Sequence, residues 1–143
     1  MAGQKVLLVD DEVEFTKTLS ERMEARGIHA HTAANGAEAL EKLDAEKFDA
    51  IILDMQMPGM DGIETLRRML EKNPDLQIIL LTGYATVGKS VEAMKIGAKD
   101  FLEKPANIEE LVEKIKLAGN ERIALVEKRA EESIRDILKG KSW

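Results

Sequence analysis

The sequence predicts an α/β domain: a doubly wound, five-stranded parallel sheet with helices on both faces, followed by an extended C-terminal helix. Three observations carry that expectation. Five short strand-like segments recur in the first 105 residues, the clearest of them apolar runs such as Val6-Leu7-Leu8-Val9. Such runs suit strands buried on both faces. Each is followed by a segment with apolar residues at helical spacing, and five β–α pairs with short connections imply a parallel sheet. The chain has 143 residues, 44% of them apolar and 34% charged, which is enough for one compact domain and no second one of ordinary size.

The first strand is Val6-Leu7-Leu8-Val9, stopped by Asp10-Asp11-Glu12. From Val13 to Arg26, Val13, Thr16, Leu19, Ser20 and Met23 keep helical spacing, and Gly27 supplies the stop. Ile28 to Ala33 is the second strand. Gly36 to Glu46 is a helix with Ala37, Leu40 and Leu43 on one side. Phe48 to Leu53 is the third strand, ending at Asp54, and Met55 to Met60 is a loop marked by Pro58-Gly59. Asp61 is placed to cap a helix that runs to Lys72 and ends before Asn73-Pro74. Gln77 to Leu81 is the fourth strand, ending at Thr82-Gly83. Thr86 to Ile96 is a helix closed by Gly97, and Lys99 to Leu102 is the fifth strand, followed by Glu103-Lys104-Pro105. Asn107 caps the last helix. Along it Ile115, Gly119, Ile123, Val126, Ala130, Ile134 and Ile137 recur every three or four residues. Gly119-Asn120 is a candidate break. The residues beyond it are either a polar tail or a surface for a second copy or partner helix, since an apolar stripe calls for a cover.

Composition narrows the function. Cysteine is absent, which excludes disulfides, thiolate metal sites and a cysteine nucleophile. It fits a cytoplasmic location. No apolar run approaches a membrane span, and Met1-Ala2-Gly3-Gln4-Lys5 lacks the apolar stretch of a signal peptide. A formal net charge of −6 argues against a nucleic-acid partner. Aromatics are 3%, so the core must be built from Val, Ile, Leu, Met and Ala.

Parallel strands end on one edge of the sheet, and ligands of such sheets bind at that edge. The residues just past the predicted strand ends are Asp10, Asp11, Asp54, Thr82 and Lys104. Three carboxylates held together call for a cation, and a hard divalent ion such as Mg²⁺ takes oxygen ligands. Lys104 adds a fixed positive charge and Thr82 a hydroxyl. That set suits a metal with a small dianion, which means a phosphoryl group. Phosphoryl transfer needs neutralisation and positioning, and a carboxylate can be the nucleophile. Asp54, flanked by the metal-ligand candidates, is the first choice.

With Val-Asp-Asp-Glu at 9–12, Leu-Asp-Met-Gln-Met-Pro-Gly-Met-Asp-Gly at 53–62, Leu-Thr-Gly-Tyr at 81–84 and Asp-Phe-Leu-Glu-Lys-Pro at 100–105, the chain resembles the receiver domain of two-component response regulators from residue 5 to about 118. The resemblance implies a flavodoxin-like sheet of order 2-1-3-4-5. It implies Asp54 as phosphoacceptor. Asp11, Asp54 and the backbone carbonyl of Gln56 would hold Mg²⁺, with Asp10 acting mainly through water. Thr82 and Lys104 would contact the phosphoryl group. Thr82 and Phe101 would form the switch that alters the surface of the fourth helix, fifth strand and fifth helix. Phe101 also reads as a plain core aromatic. Gln56 and Tyr84 would flank the path of hydrolytic water, and the Lys104-Pro105 bond matches one that is often cis in the family.

On this reading residues 1–119 are the receiver and 120–143 a helical extension. The chain is a phosphoacceptor switch rather than a turnover enzyme. Its partners are a histidine kinase or phosphotransfer protein, a downstream protein effector and, through the last helix, a second copy. No output domain fits after residue 118. Two rivals stand beside it: the receiver piece of a larger DNA-binding regulator, and a nucleotide-binding phosphotransferase. The latter rests on Gly83 to Ser90, which matches the phosphate-loop pattern GxxxxGK[ST] but occurs in the fourth β–α unit and leaves the acidic residues unexplained. His29 and His31 alternate on the second strand, as a metal pair or, by the plainer reading, as edge histidines near water.

Overall fold

The computed structural model describes residues 3–55, 62–83 and 87–140, apart from the side chains of Val87 and Lys89. The elements run β1 (Lys5–Val9), α1 (Val13–Glu24), β2 (His29–Ala33), α2 (Gly36–Ala45), β3 (Ala50–Asp54), α3 (Gly62–Lys72), β4 (Ile78–Thr82), α4 (Val87–Ile96), β5 (Asp100–Glu103) and α5 (Ile108–Gly140). The five strands form one parallel sheet in the order β2-β1-β3-β4-β5. Of the loop expected after β3, the stretch from Gln56 to Met60 lies outside the described residues, as does the expected cap Asp61.

Alternation along each strand divides the core into two layers. Leu7, Val9, Ile51, Leu53, Ile78 and Leu80 face α2, α3 and α4, where Ala39, Leu66, Met69 and Ala93 meet them. Val6, Leu8, Ile52, Ile79 and Leu81 face Leu19 and Met23 of α1 and Leu111, Val112, Ile115 and Ala118 of α5. Phe48 is the one aromatic buried in this aliphatic core among the described residues. It lies just ahead of β3, which starts two residues later than its sequence suggests. Just ahead of that start Asp49 pairs with the head of β1, its N–H donating to the Lys5 carbonyl and its carboxylate accepting from the Lys5 N–H, both at 2.8 Å.

The chain enters α5 through Asn107, whose Oδ1 accepts from the Glu110 N–H at 3.0 Å. The helix does not break at Gly119-Asn120. Gly119 instead admits a neighbour: Gln4 reaches across it to donate to the Ile115 carbonyl at 3.3 Å, and a Cβ on Gly119 would lie 2.1 Å from the Gln4 Nε2. Past that contact α5 runs beneath the N-terminal edge of the sheet. Arg122 pairs with Asp49 at 3.1 Å, Lys99 with Glu121 at 2.8 Å, and the Arg129 guanidinium straddles both oxygens of Asp75. The Arg129 hydrogen bond holds the Asp75 carboxyl below the usual aspartate range, against the opposing push of burial.

Two outcomes follow from this packing. Leu53→Ala removes fully buried volume between two layers and is expected to cost about 2–5 kcal/mol in urea unfolding. A lowered native pKa at Asp75 means its stabilisation is complete above the ordinary aspartate value, about 3.9, and is lost as pH falls through the lower native one. Hydrogen exchange over residues 120–135, corrected for intrinsic rates, should therefore speed up in acid below that range. Asp75→Asn should show the faster exchange already at pH 7, with β3 and β4 as protected as before.

Candidate functional site

The parallel register delivers the strand ends to one edge. Leu53 lies beside Val9 and Leu80, and Asp54 beside Leu81. The Asp10 N–H donates to the Ala33 carbonyl, the Met55 N–H to the Leu81 carbonyl and the Lys104 N–H to the Thr82 carbonyl, at 3.1, 3.1 and 2.8 Å. Each side chain of interest is therefore set by backbone bonds at or next to its own residue.

Ligand oxygens of Asp10, Asp11 and Asp54 come within 4.8 Å of one another. Asp10 and Asp54 are each 4% exposed, while Asp11 faces solvent. Lys104 reaches over them, its Nζ 2.9 Å from Asp10, 3.6 Å from Asp54 and 3.5 Å from Glu12. The ammonium also lies 4.6 Å from the centre of the Phe15 ring. Burial pushes the Lys104 pKa down, but the Asp10 hydrogen bond and the charges of Asp54, Asp10 and Glu12 outweigh it and raise the pKa above the usual lysine value. Lys104 is thus a fixed cation. The Asp10 Oδ1 accepts from the Glu12 N–H at 2.9 Å, so this carboxylate is held at both oxygens. The Lys104-Pro105 peptide is cis.

Lys104 neutralises only one of the carboxylates around it, Asp10, Asp11, Asp54 and Glu12, and a divalent cation offsets the excess negative charge. Carboxylate oxygens at this separation are the donor set of a hard ion, so the residues present fit Mg²⁺. Gln56 and Tyr84 lie outside the described residues.

Thr82 is buried, and its hydroxyl is 3.5 Å from the Leu102 carbonyl of β5. Phe101 is 43% exposed, so it is not a core aromatic. It borders an apolar crevice of about 350 Å³ with Ser90, Val91 and Met94 of α4. Sequence reading did not find that crevice. Its signal was Phe101 on an edge strand opposite an α4 face carrying Val91 and Met94.

The distracting motifs separate from the site. Ser90, last residue of the phosphate-loop pattern, is buried in α4 beside that crevice, and residues 84–86 of the pattern lie outside the described ones. The histidines take separate neighbours: His29 lies 3.7 Å from Glu24, and His31 lies 4.0 Å from Glu46 with its ring edge-on to Phe48.

Five parallel strands in this order, with an acidic cluster and a lysine at their C-terminal edge, define a receiver-type phosphoacceptor fold. The family model for the response regulator receiver domain matches residues 6–116, and the chain belongs to that family. It is 35% identical to the sporulation initiation phosphotransferase F of Bacillus subtilis (strain 168) over 116 residues, 81% of this chain and 94% of that one. It is also 35% identical over 129 residues to the C4-dicarboxylate transport transcriptional regulatory protein DctD of Rhizobium meliloti (strain 1021), covering 90% of this chain. There it spans only 28% of the relative's length. A crystal structure of a response regulator receiver domain protein from Clostridium thermocellum superposes with a TM-score of 0.81 at 31% identity, covering 85% of this chain and 98% of that one.

Removing the cation tests the electrostatics directly. Lys104→Met should lower stability at pH 7 by about 1–3 kcal/mol, because two buried carboxylates lose their partner. Millimolar Mg²⁺ should return more of that loss in the variant than it adds to the wild type, read as thermal midpoints with and without the ion.

Proposed function

We propose that Asp54 is the phosphoacceptor of this receiver and that the chain works as a Mg²⁺-dependent switch in a phosphorelay. The observation that carries the reading is the buried Asp54 carboxylate, set among two further carboxylates and a lysine whose charge is fixed. Asp11, Asp54 and the Gln56 carbonyl would hold Mg²⁺, with Asp10 acting through water. The ion supplies charge neutralisation to a transferring phosphoryl group.

This chain's own residues do the rest. An Asp54 carboxylate oxygen attacks phosphorus in line with the donor's leaving atom. The P–O bond forms as the bond to the donor breaks, leaving an acyl phosphate on Asp54. Lys104 binds a phosphoryl oxygen, exchanging part of its contact with Asp54. The Thr82 hydroxyl, now turned toward the Leu102 carbonyl, rotates to donate to another. That rotation vacates space beside β5, and Phe101 is placed to turn in from its exposed position. The crevice between α4 and β5 then changes shape, which is the signal. By the receiver resemblance, Gln56 and Tyr84 would flank the path of the water that later hydrolyses the acyl phosphate.

The partners on this reading are a histidine kinase or phosphotransfer protein as donor and a protein effector on the α4–β5–α5 face. A second copy is the partner of the C-terminal helix. Nucleic acid is not a direct partner. Receiver chemistry occupies residues 1–119, and 120–143 form the extension. The chain modifies itself and is not a turnover enzyme, and it acts in the cytoplasm. No described helix is long and apolar enough to cross a membrane.

Intact mass after incubation with acetyl phosphate is the test. One phosphoryl group should add to the wild type with Mg²⁺, and none without the ion or in Asp54→Asn. An adduct that persists in Asp54→Asn would refute the assignment. Thr82→Ala should still take up the group while the Phe101 environment, followed by ¹⁹F-labelled phenylalanine, no longer responds to beryllofluoride.

A further inference from the structure

We infer that His29 and His31 are the two protein ligands of a site for a borderline divalent transition ion, Zn²⁺ or Cu²⁺ in chemistry, on the β2 edge of the sheet. That edge lies opposite the one formed by β5 and Phe101. The inference does not rest on Asp54 being the phosphoacceptor.

Strand geometry puts the two rings together. Residues two apart on a strand share a face. His29, His31 and Ala33 lie beside Lys5, Leu7 and Val9 of β1, and Leu7, Val9 and Ala33 mark this as the face that α2 covers. The α-carbons of the two histidines are about 7 Å apart at the rise of a strand. Two imidazoles at that spacing can close on one ion, at about 2.0–2.1 Å per nitrogen. Both side chains reach solvent, His29 with 55% and His31 with 39% of its surface, so an ion has access.

A carboxylate stands behind each ring. The Glu24 Oε1 accepts from the Ala30 N–H at 2.9 Å, which fixes that carboxylate and leaves its Oε2 3.7 Å from the His29 Nδ1. Glu46 repeats the arrangement: its Oε1 accepts from the Lys5 Nζ at 2.8 Å, and its Oε2 lies 4.0 Å from the His31 Nδ1. The His31 ring is also set edge-on against Phe48, with centroids 5.6 Å apart. A carboxylate facing Nδ1 keeps the proton on that nitrogen and frees the Nε2 lone pair, as metal-binding histidines require. The neighbouring lysines are engaged elsewhere, Lys5 with Glu46, and Lys42 with Glu38 and the Thr32 carbonyl.

Ligand type selects the ion. Neutral imidazole suits Zn²⁺, Cu²⁺ and Ni²⁺, whereas Mg²⁺ takes oxygen. The chain holds two histidines and no cysteine, so these rings are its only imidazole or thiolate donors. The acidic cluster of Asp10, Asp11 and Asp54 offers oxygen alone and suits the hard ion. The two sites therefore sort ions by chemistry. With two protein ligands, water completes the coordination sphere. Once one ring holds the ion the second ligation is intramolecular, so the pair binds more tightly than either ring alone.

The test is a Zn²⁺ titration of the full chain in millimolar Mg²⁺, followed by long-range ¹H–¹⁵N spectra of the imidazoles. The Nε2 signals of both histidines should shift together and saturate at one ion per chain, and Mg²⁺ alone should move neither. His29→Gln and His31→Gln should each weaken binding at least about tenfold. Glu24→Gln keeps both rings and should still weaken it about tenfold, the scale of losing a group that orients a ligand. Cu²⁺ should bind more tightly than Zn²⁺. Amide spectra of each variant without Zn²⁺ should match the wild type away from β2, which separates lost ligation from lost folding. Shifts at Nδ1, a response from one histidine alone, or equal affinity after either ring is removed would overturn the inference. So would saturation at half an ion per chain, which means an ion shared between two chains, or a response that disappears in Asp11→Asn, which means an ion held by the acidic cluster.

Discussion

Two carboxylates buried at the end of an apolar sheet cost several kcal/mol each unless a cation stands beside them. Here the cation arrives from the opposite end of the domain in sequence. Lys104, just past the last strand, lies 2.9 Å from Asp10, just past the first. That contact requires β1, β3, β4 and β5 in their places, since β1 and β5 are separated by β3 and β4. Correct folding and an electrically tolerable site are therefore the same condition. A pocket built this way retains a deficit of positive charge, and the deficit is what makes it responsive to a divalent ion and to a phosphoryl group.

Most of the fold was legible because a parallel sheet covered on both sides leaves a simple record. Its strands read as apolar runs such as Ile51-Ile52-Leu53 and Ile78 to Leu81, and its helices as interrupted stripes. The acidic cluster was legible for a related reason: topology sends every strand end to one edge, so Asp10, Asp11, Asp54 and Lys104 are gathered by connectivity alone. What escaped depends on tertiary contact. Gly119 has the look of a helix break, yet its role is to admit Gln4. The bond from the Lys5 N–H to the Asp49 carboxylate joins the head of β1 to the entrance of β3, far apart in sequence. The outward placement of Phe101 depends on which face of an edge strand α4 leaves uncovered. None of these has a local periodicity to read.

The two edges of the sheet carry different kinds of charge pairing. At the C-terminal edge the ion pairs are buried and incomplete. At the N-terminal edge, Arg122 with Asp49 and Arg129 with Asp75 are closed pairs whose partners are satisfied. Asp49 heads the strand that Asp54 ends, and Asp75 precedes the strand that Thr82 ends. The central strands thus tie the chemistry at one end to the anchoring of α5 at the other through continuous, fully buried backbone.

Because α5 is unbroken from Ile108 to Gly140, it also behaves as a lever. Its last anchor is the contact of Arg129 with Asp75, and the arm beyond it is about 16 Å long at 1.5 Å per residue. A tilt of about 10° at that anchor carries the far tip through about 3 Å, on the rise expected for a straight helix. Repacking too small to notice within the body is thereby enlarged to the width of a side chain at the tip.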